Sequence, residues 1–247
     1  MTINRYKAFA FHLCGSIFVA LCVTALVFMV WYPGAMAEAT GVAGVFLMML
    51  GVDVILGPCI TLIIFNPAKK ELKRDMAIVL LVQIVALLYG MHAVFIARPV
   101  YAVFNSDRFD LVFANDLDEA KLAQVGNTRF KTPPMLGPEV IAARRPETTK
   151  ERNKILFSAI AGGDDLPQMP QYYVPYVELR SQVLQRLQPI DALRQLNQKD
   201  AKKVDTLLLK YGKEIAYLPL RGKVRDLTVI VKRSTAEVLE INDLAPW

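Results

Sequence analysis

The chain has 247 residues, 29 Lys/Arg against 23 Asp/Glu, a formal net charge of +6, and 54% hydrophobic residues. The first 97 residues hold only six of the basic residues (Arg5, Lys7, Lys69, Lys70, Lys73, Arg74) and four of the acidic ones (Glu38, Asp53, Glu71, Asp75). That skew excludes a cytosolic, a disordered or a fibrous chain and divides the sequence in two. Residues 1–97 read as a membrane part and residues 98–247 as one soluble domain of common size. The small basic excess of the soluble part does not suit nucleic acid. All three cysteines (Cys14, Cys22, Cys59) lie in apolar runs, so the soluble part holds no disulfide.

Three segments reach the roughly 20 residues needed to cross a bilayer core: about 8–31, 42–65 and 76–97. The first ends at Trp31-Tyr32 followed by Pro33-Gly34, and the third stops at Arg98-Pro99. Ala35-Met36-Ala37 fits a signal-cleavage site. The apolar run before it is longer than the 7–15 residues of a signal core, so the reading is an uncleaved anchor. Lys and Arg concentrate before the first span and in the loop between the second and third, while the first loop carries one Glu and no basic residue. The positive-inside rule then predicts a cytoplasmic N-terminus and a periplasmic C-terminal domain in a bacterial inner membrane.

Asp53 falls near the middle of the second span, where a carboxylate costs roughly 2.5–3.5 kcal/mol and marks a functional site by default. Its helical face continues through Gly57 and Thr61. Ser16, Ala20 and Thr24 with His12 on the first span, and Gln83, Ala86, Gly90 and Ala93 on the third, form matching small or polar stripes. They predict the inner faces of a three-helix bundle. His12 and His92 lie about 12 Å and 8 Å from the Asp53 level, on opposite sides, so neither is predicted to pair with it. Two readings stay open for Asp53: a protonated carboxyl bonded to Gln83, Ser16 or Thr24, or a carboxylate whose partner belongs to another membrane protein. An ion path is a third and weaker reading. Pro58 is predicted to distort the second helix.

In the soluble part, Val100–Phe104 and Asp107–Phe113 read as strands split by a turn at residues 105–107. A short helix is predicted over 116–125, strand or loop broken by prolines over 129–143, and an amphipathic helix over 147–161 ending at Gly162-Gly163. Helices over 174–187, 189–196 and 199–211 and strands over 214–219, 224–232 and 236–241 complete an α+β domain. It contains no His and no Cys, which excludes Ser-His, Cys-His and zinc chemistry there, and none of the phosphate-binding glycine motifs. Asp107, Asp110, Asp116 and Asp118 read as a solvated edge, and Gly162-Gly163-Asp164-Asp165 as a helix stop followed by a polar turn. Tyr172, Tyr173 and Tyr176 surround Pro175. They read as core packing or, alternatively, as an aromatic docking patch. No enzyme, metal or cofactor is expected.

Several stretches, taken in order, resemble the TfpX/TfpZ-type family of type IV pilin accessory proteins. They are Lys7–Leu13, Val30–Gly34, Gly51–Pro58, Ala97–Phe104, Asp107–Val112, Glu151–Gly163 and Tyr172–Tyr176. The resemblance covers about residues 5–176 and carries no established binding or catalytic residue. It implies an inner-membrane protein that binds or stabilises the major type IV pilin and promotes its assembly into surface pili, with other pilus-assembly proteins and membrane lipid as further partners. In that setting Asp53, Gly57 and Thr61 would face the pilin's membrane helix and the Tyr172–Tyr176 patch its head. The competing expectation is a small transporter or channel subunit that uses Asp53.

Overall fold

The computed structural model describes residues 4–247. They form two compact units: residues up to Val30 with Val42–Ile96, and Trp31–Gly41 with Ala97–Trp247.

The first unit contains three helices long and apolar enough to cross a membrane: Arg5–Trp31, Val42–Ile64 and Leu72–Ile96. Most of their apolar side chains face outward, as lipid solvent requires, because backbone polarity is satisfied within each helix. Helix α1 (Arg5–Ala25) starts at Asn4, whose side chain accepts from the Lys7 amide at 3.0 Å, and runs on as a π segment, Leu26–Trp31. The short helix α2 (Met36–Thr40) lies in the connection that follows. The second span is α3 (Val42–Gly51), a π segment (Val52–Leu56) and α4 (Gly57–Ile64). Pro58 cannot donate to the carbonyl four residues back, and the expected distortion takes the form of this π segment just before it. The third span is α5 (Leu72–Ile96). Its contact with the second depends on glycine. A Cβ on Gly57 would lie 1.9 Å from Gln83 Nε2, and one on Gly90 would lie 2.2 Å from Met49 Sδ.

The second unit is built on a mixed eight-stranded sheet. Its strands are β1 (Pro99–Asn105), β2 (Arg108–Phe113), β3 (Glu139–Ala143), β4 (Tyr173–Pro175), β5 (Gln188–Pro189), β6 (Ile215–Arg221), β7 (Leu227–Lys232) and β8 (Val238–Asn242). The order is β4-β3-β1-β2-β6-β7-β8, with β5 on β6. The β1/β3 and β2/β6 pairs are parallel and the others antiparallel. Every residue of β1 is buried, so both faces of the sheet centre are covered. One face packs Tyr101, Val103, Val112 and Ile141 against Leu117, Phe130, Ile155 and Leu166. Farther along, Ile215, Tyr217 and Ile230 pack against Leu193, Val204 and Leu207 of α9 (Ile190–Leu196) and α10 (Ala201–Tyr211). Residues of opposite parity (Phe104, Phe109, Leu218, Leu220, Leu227) are fully buried on the other face. Tyr176, just past the β4 edge, lies on Phe109 of β2 and donates to the Ala236 carbonyl in the β7–β8 turn at 2.8 Å, tying the segment after β4 to that turn.

Helix α6 (Glu119–Ala123) begins later than expected, because Asp116 accepts from the Phe113 amide and Asp118 caps the helix instead. Helix α7 (Thr149–Ile160) matches its expectation: Thr148 caps it, and Gly162 at φ +80° ends it. The helix expected over 174–187 is instead β4, a 3₁₀ turn at Tyr176–Leu179 and α8 (Arg180–Arg186). Pro175 holds the chain extended there.

The connection Trp31–Gly41 belongs to this unit. The Ala39 carbonyl accepts from the amides of Lys223 (3.0 Å), Val224 (2.9 Å) and Arg225 (3.4 Å), and Glu38 pairs with Arg225. Gly222 makes the approach possible, since a Cβ there would meet the Arg225 carbonyl at 2.1 Å and that of Ala39 at 3.0 Å.

Tyr176→Phe should lower stability by about 1 kcal/mol through loss of the bond to the Ala236 carbonyl. Leu218→Ala, at a fully buried position, should cost about 2–5 kcal/mol. Thermal denaturation of the detergent-purified chain checks both, and a loss of less than about 1 kcal/mol for Leu218→Ala would contradict its place in the core.

Candidate functional site

Helices α1, α4 and α5 supply the polar groups of the first unit to one cavity of about 490 Å³. Its lining includes His12, Ser16 and Ala20 from α1, Asp53 from the π segment, Thr61 from α4 and Gln83 from α5, among largely apolar neighbours. The bundle satisfies most of these groups internally. His12 Nδ1 and Thr61 Oγ1 are 2.6 Å apart, so Thr61 is spent on His12. Thr24 donates to the Ala20 carbonyl of its own helix, which takes it out of the candidate set for Asp53. Gln83 Nε2 donates to the Asp53 backbone carbonyl at 3.1 Å, not to the carboxylate.

Asp53 is the exception. Both carboxylate oxygens are shielded, and neither has a hydrogen-bond partner; the Gln83 Oε1 atom is in the same position. The internal pairing of the Asp53 carboxyl with Gln83, Ser16 or Thr24 is therefore not realised in this structure. The spacing 53, 57, 61 does bring Asp53 and Thr61 to one cavity. Gly57 has a different part, giving Gln83 room to reach the second span. Gly90 likewise serves helix contact against Met49. His92 is exposed and stands apart from this lining.

The aromatic run occupies the second unit. Tyr173 is buried in the core, stacks edge-on with Tyr101 and Phe130, and donates to the Pro167 carbonyl. Tyr172 is half-buried against the same cluster, and Tyr176 lies tilted on Phe109 while donating to the Ala236 carbonyl. Burial pushes the Tyr173 and Tyr176 hydroxyls well above the ordinary tyrosine range, so both remain proton donors to carbonyls. Core packing accounts for Tyr173, while Tyr172 and Tyr176 pack against the same unit and keep part of their surface exposed.

Asp110 is not part of a solvated edge. It is 2% exposed, with its Oδ1 2.9 Å from Arg221 Nε and 3.4 Å from Arg108 Nε. Burial raises its carboxyl, and the two guanidiniums oppose that shift. The pairing depends on Arg221, which lies opposite Asp110 in the parallel β2/β6 register, a relation that no local pattern reveals. In the glycine-aspartate turn, Asp164 pairs with Lys121 at 2.7 Å and Asp165 caps the 3₁₀ turn Leu166–Gln168, in keeping with the structural reading. Among the described residues, no group of three or more His, Cys, Asp or Glu side chains could hold a metal ion.

The architecture is that of three apolar spans joined to a mixed-sheet domain, with one unsatisfied carboxylate inside the bundle. Comparison with known proteins gives this class a family. A model described as fimbrial assembly protein FimB matches residues 2–41. Two Dichelobacter nodosus proteins, "Fimbrial assembly protein, serogroup I" and "Fimbrial assembly protein, serogroup E1", are each 31% identical over 220 residues, covering 87% of this chain and 85% of theirs. A third, of serogroups C1 and C2, is 34% identical over 113 residues, or 45% of this chain and 86% of its own. The chain belongs to this family of fimbrial assembly proteins. No solved structure matches it.

Replacing Asp53 by Leu removes an unsatisfied carboxylate and should raise the melting temperature of the purified chain, by the equivalent of about 1–3 kcal/mol. Gly57→Leu should lower it, because Gln83 must withdraw. A fall in stability for Asp53→Leu would show that the carboxylate has an internal partner.

Proposed function

We propose that this chain is an inner-membrane accessory protein of fimbrial assembly, of the TfpX/TfpZ type. It holds the major pilin before or during its incorporation into surface pili. Membership of the fimbrial assembly family and the relatives' printed names support the general role. The single observation that carries the binding reading is the Asp53 carboxylate, shielded from water and left without a donor in a cavity between three membrane helices. An isolated membrane protein gains nothing from such a group, which costs stability. A partner helix that brings a donor to the same depth would turn the cost into specificity.

On this reading the N-terminus is cytoplasmic and the mixed-sheet domain periplasmic. The packing of Trp31–Gly41 with residues 97–247 supports a common side for the first connection and the domain, and the basic residues at 69–74 support the opposite side for the second. Contact with the pilin's membrane helix through Asp53, and with its head through the domain, would combine two weak interactions into one stable complex.

The test is affinity purification of the tagged chain in mild detergent, with and without Asp53→Asn, followed by mass spectrometry. Near-stoichiometric major pilin with the native chain, falling about tenfold or more for Asp53→Asn, is the expected outcome. Pilin absent from both would overturn the binding reading and favour a transport role, which ion flux in liposomes would then reveal.

A further inference from the structure

The segment between the 3₁₀ turn Thr128–Phe130 and β3 reads Lys131-Thr132-Pro133-Pro134-Met135-Leu136-Gly137-Pro138. Three prolines and Gly137, at φ +77°, fix its backbone, so its tip is a preformed projection. That tip is Met135 and Leu136, which are 57% and 82% exposed. Two adjacent large apolar side chains on a stiff loop thus leave most of their surface uncovered within their own unit.

Their position says what covers them. The buried Arg98 donates from Nη2 to the Pro134 carbonyl at 3.1 Å, and the same nitrogen lies 3.8 Å from Met135 Sδ. Arg98 is two residues beyond Ile96, the last residue of the third span. At about 3.6 Å per extended residue, it lies within about 7 Å of the span's end by chain length alone. The headgroup zone is itself roughly 5–8 Å deep on each side of the hydrocarbon core. The sheet register agrees, since β3 runs parallel to β1 and the loop before β3 arrives where β1 begins, just after that exit. Arg129 and Lys131, both exposed, flank the apolar tip with positive charge. Arg129 shares its charge with Glu139 at 3.5 Å.

We propose that Met135 and Leu136 insert into the headgroup–acyl boundary of the bilayer that holds the spans, with Lys131 and Arg129 facing lipid phosphates. The proposal rests on the reading of the three helices as membrane spans. Apolar tip residues bordered by cations are the chemistry of an interfacial anchor.

The full chain, with Cys14, Cys22 and Cys59 changed to Ser, is labelled with a nitroxide at Leu136→Cys and reconstituted in phosphatidylethanolamine–phosphatidylglycerol vesicles. Control labels go at Leu21→Cys in the first span and at Leu209→Cys on α10, a position 87% exposed. The expected result is that oxygen relaxes the Leu136 label more than a water-soluble nickel chelate does, as at Leu21, with the reverse at Leu209. A Leu136 label as accessible to nickel as the Leu209 label overturns the anchor while leaving the spans intact, provided that Leu21 is in lipid. If Leu21 is also in water, the membrane reading fails and the anchor with it. A Leu136 label screened from both agents is covered by protein, which overturns the proposal as well.

Discussion

A carboxylate taken out of water must be matched by donors or stay protonated at a cost, and in this chain Asp53 faces that constraint without help from its own bundle. The helices around it pair several of the other polar groups and leave Gln83 Oε1 without a partner. Thr61 meets His12, Thr24 turns back on Ala20, and the Gln83 amide nitrogen goes to a backbone carbonyl. Close approach is paid for by glycine at 57 and 90, the two places where a side chain would collide with a neighbouring helix. An arrangement that pairs Thr61, Thr24 and the Gln83 amide nitrogen and leaves the Asp53 carboxylate and Gln83 Oε1 without partners suits a partner that brings donors from outside. The proposed role in pilin handling follows from that asymmetry.

The second unit has a different logic. Its sheet is central and covered on both faces, and the Tyr176 hydroxyl ties the segment after β4 to Ala236 in the β7–β8 turn. The connection after the first span is drawn into the same unit through the Ala39 carbonyl, which collects amides from the turn after β6. The domain is therefore continuous with chain that leaves or enters a span at three points: Trp31, Gly41 and Ala97.

Much of the architecture was legible in the residues. Segments of more than twenty residues dominated by apolar side chains read as helical spans, so their bounds were readable to within a few residues. The turn at 105–107, the Thr148 cap and the stop at Gly162 are local backbone events signalled by local side chains. The candidate site was legible in part. Asp53 announced itself by the rarity of charge at that depth, and the four-residue spacing placed Thr61 beside the same cavity. The Tyr172–Tyr176 cluster could be read two ways, because an aromatic is as useful in a core as at an interface, and only its neighbours decide. The helix expected over 174–187 forms only from Arg180, because Pro175 holds the chain before it extended and β4 pairs with β3 there.

The sequence by itself determined three apolar segments long enough to cross a membrane, the change of composition near Arg98 and the acid inside the second segment. These follow from transfer free energies that depend on residue type and run length alone. Tertiary structure decided which acids are buried, which aromatics are core and which polar groups stay unsatisfied. Asp110 is buried through Arg221, which lies more than a hundred residues away in sequence, and Asp53 lacks a partner because its neighbours bond elsewhere. Both outcomes arise from pairings between distant segments, where the free energy belongs to the contact rather than to either residue.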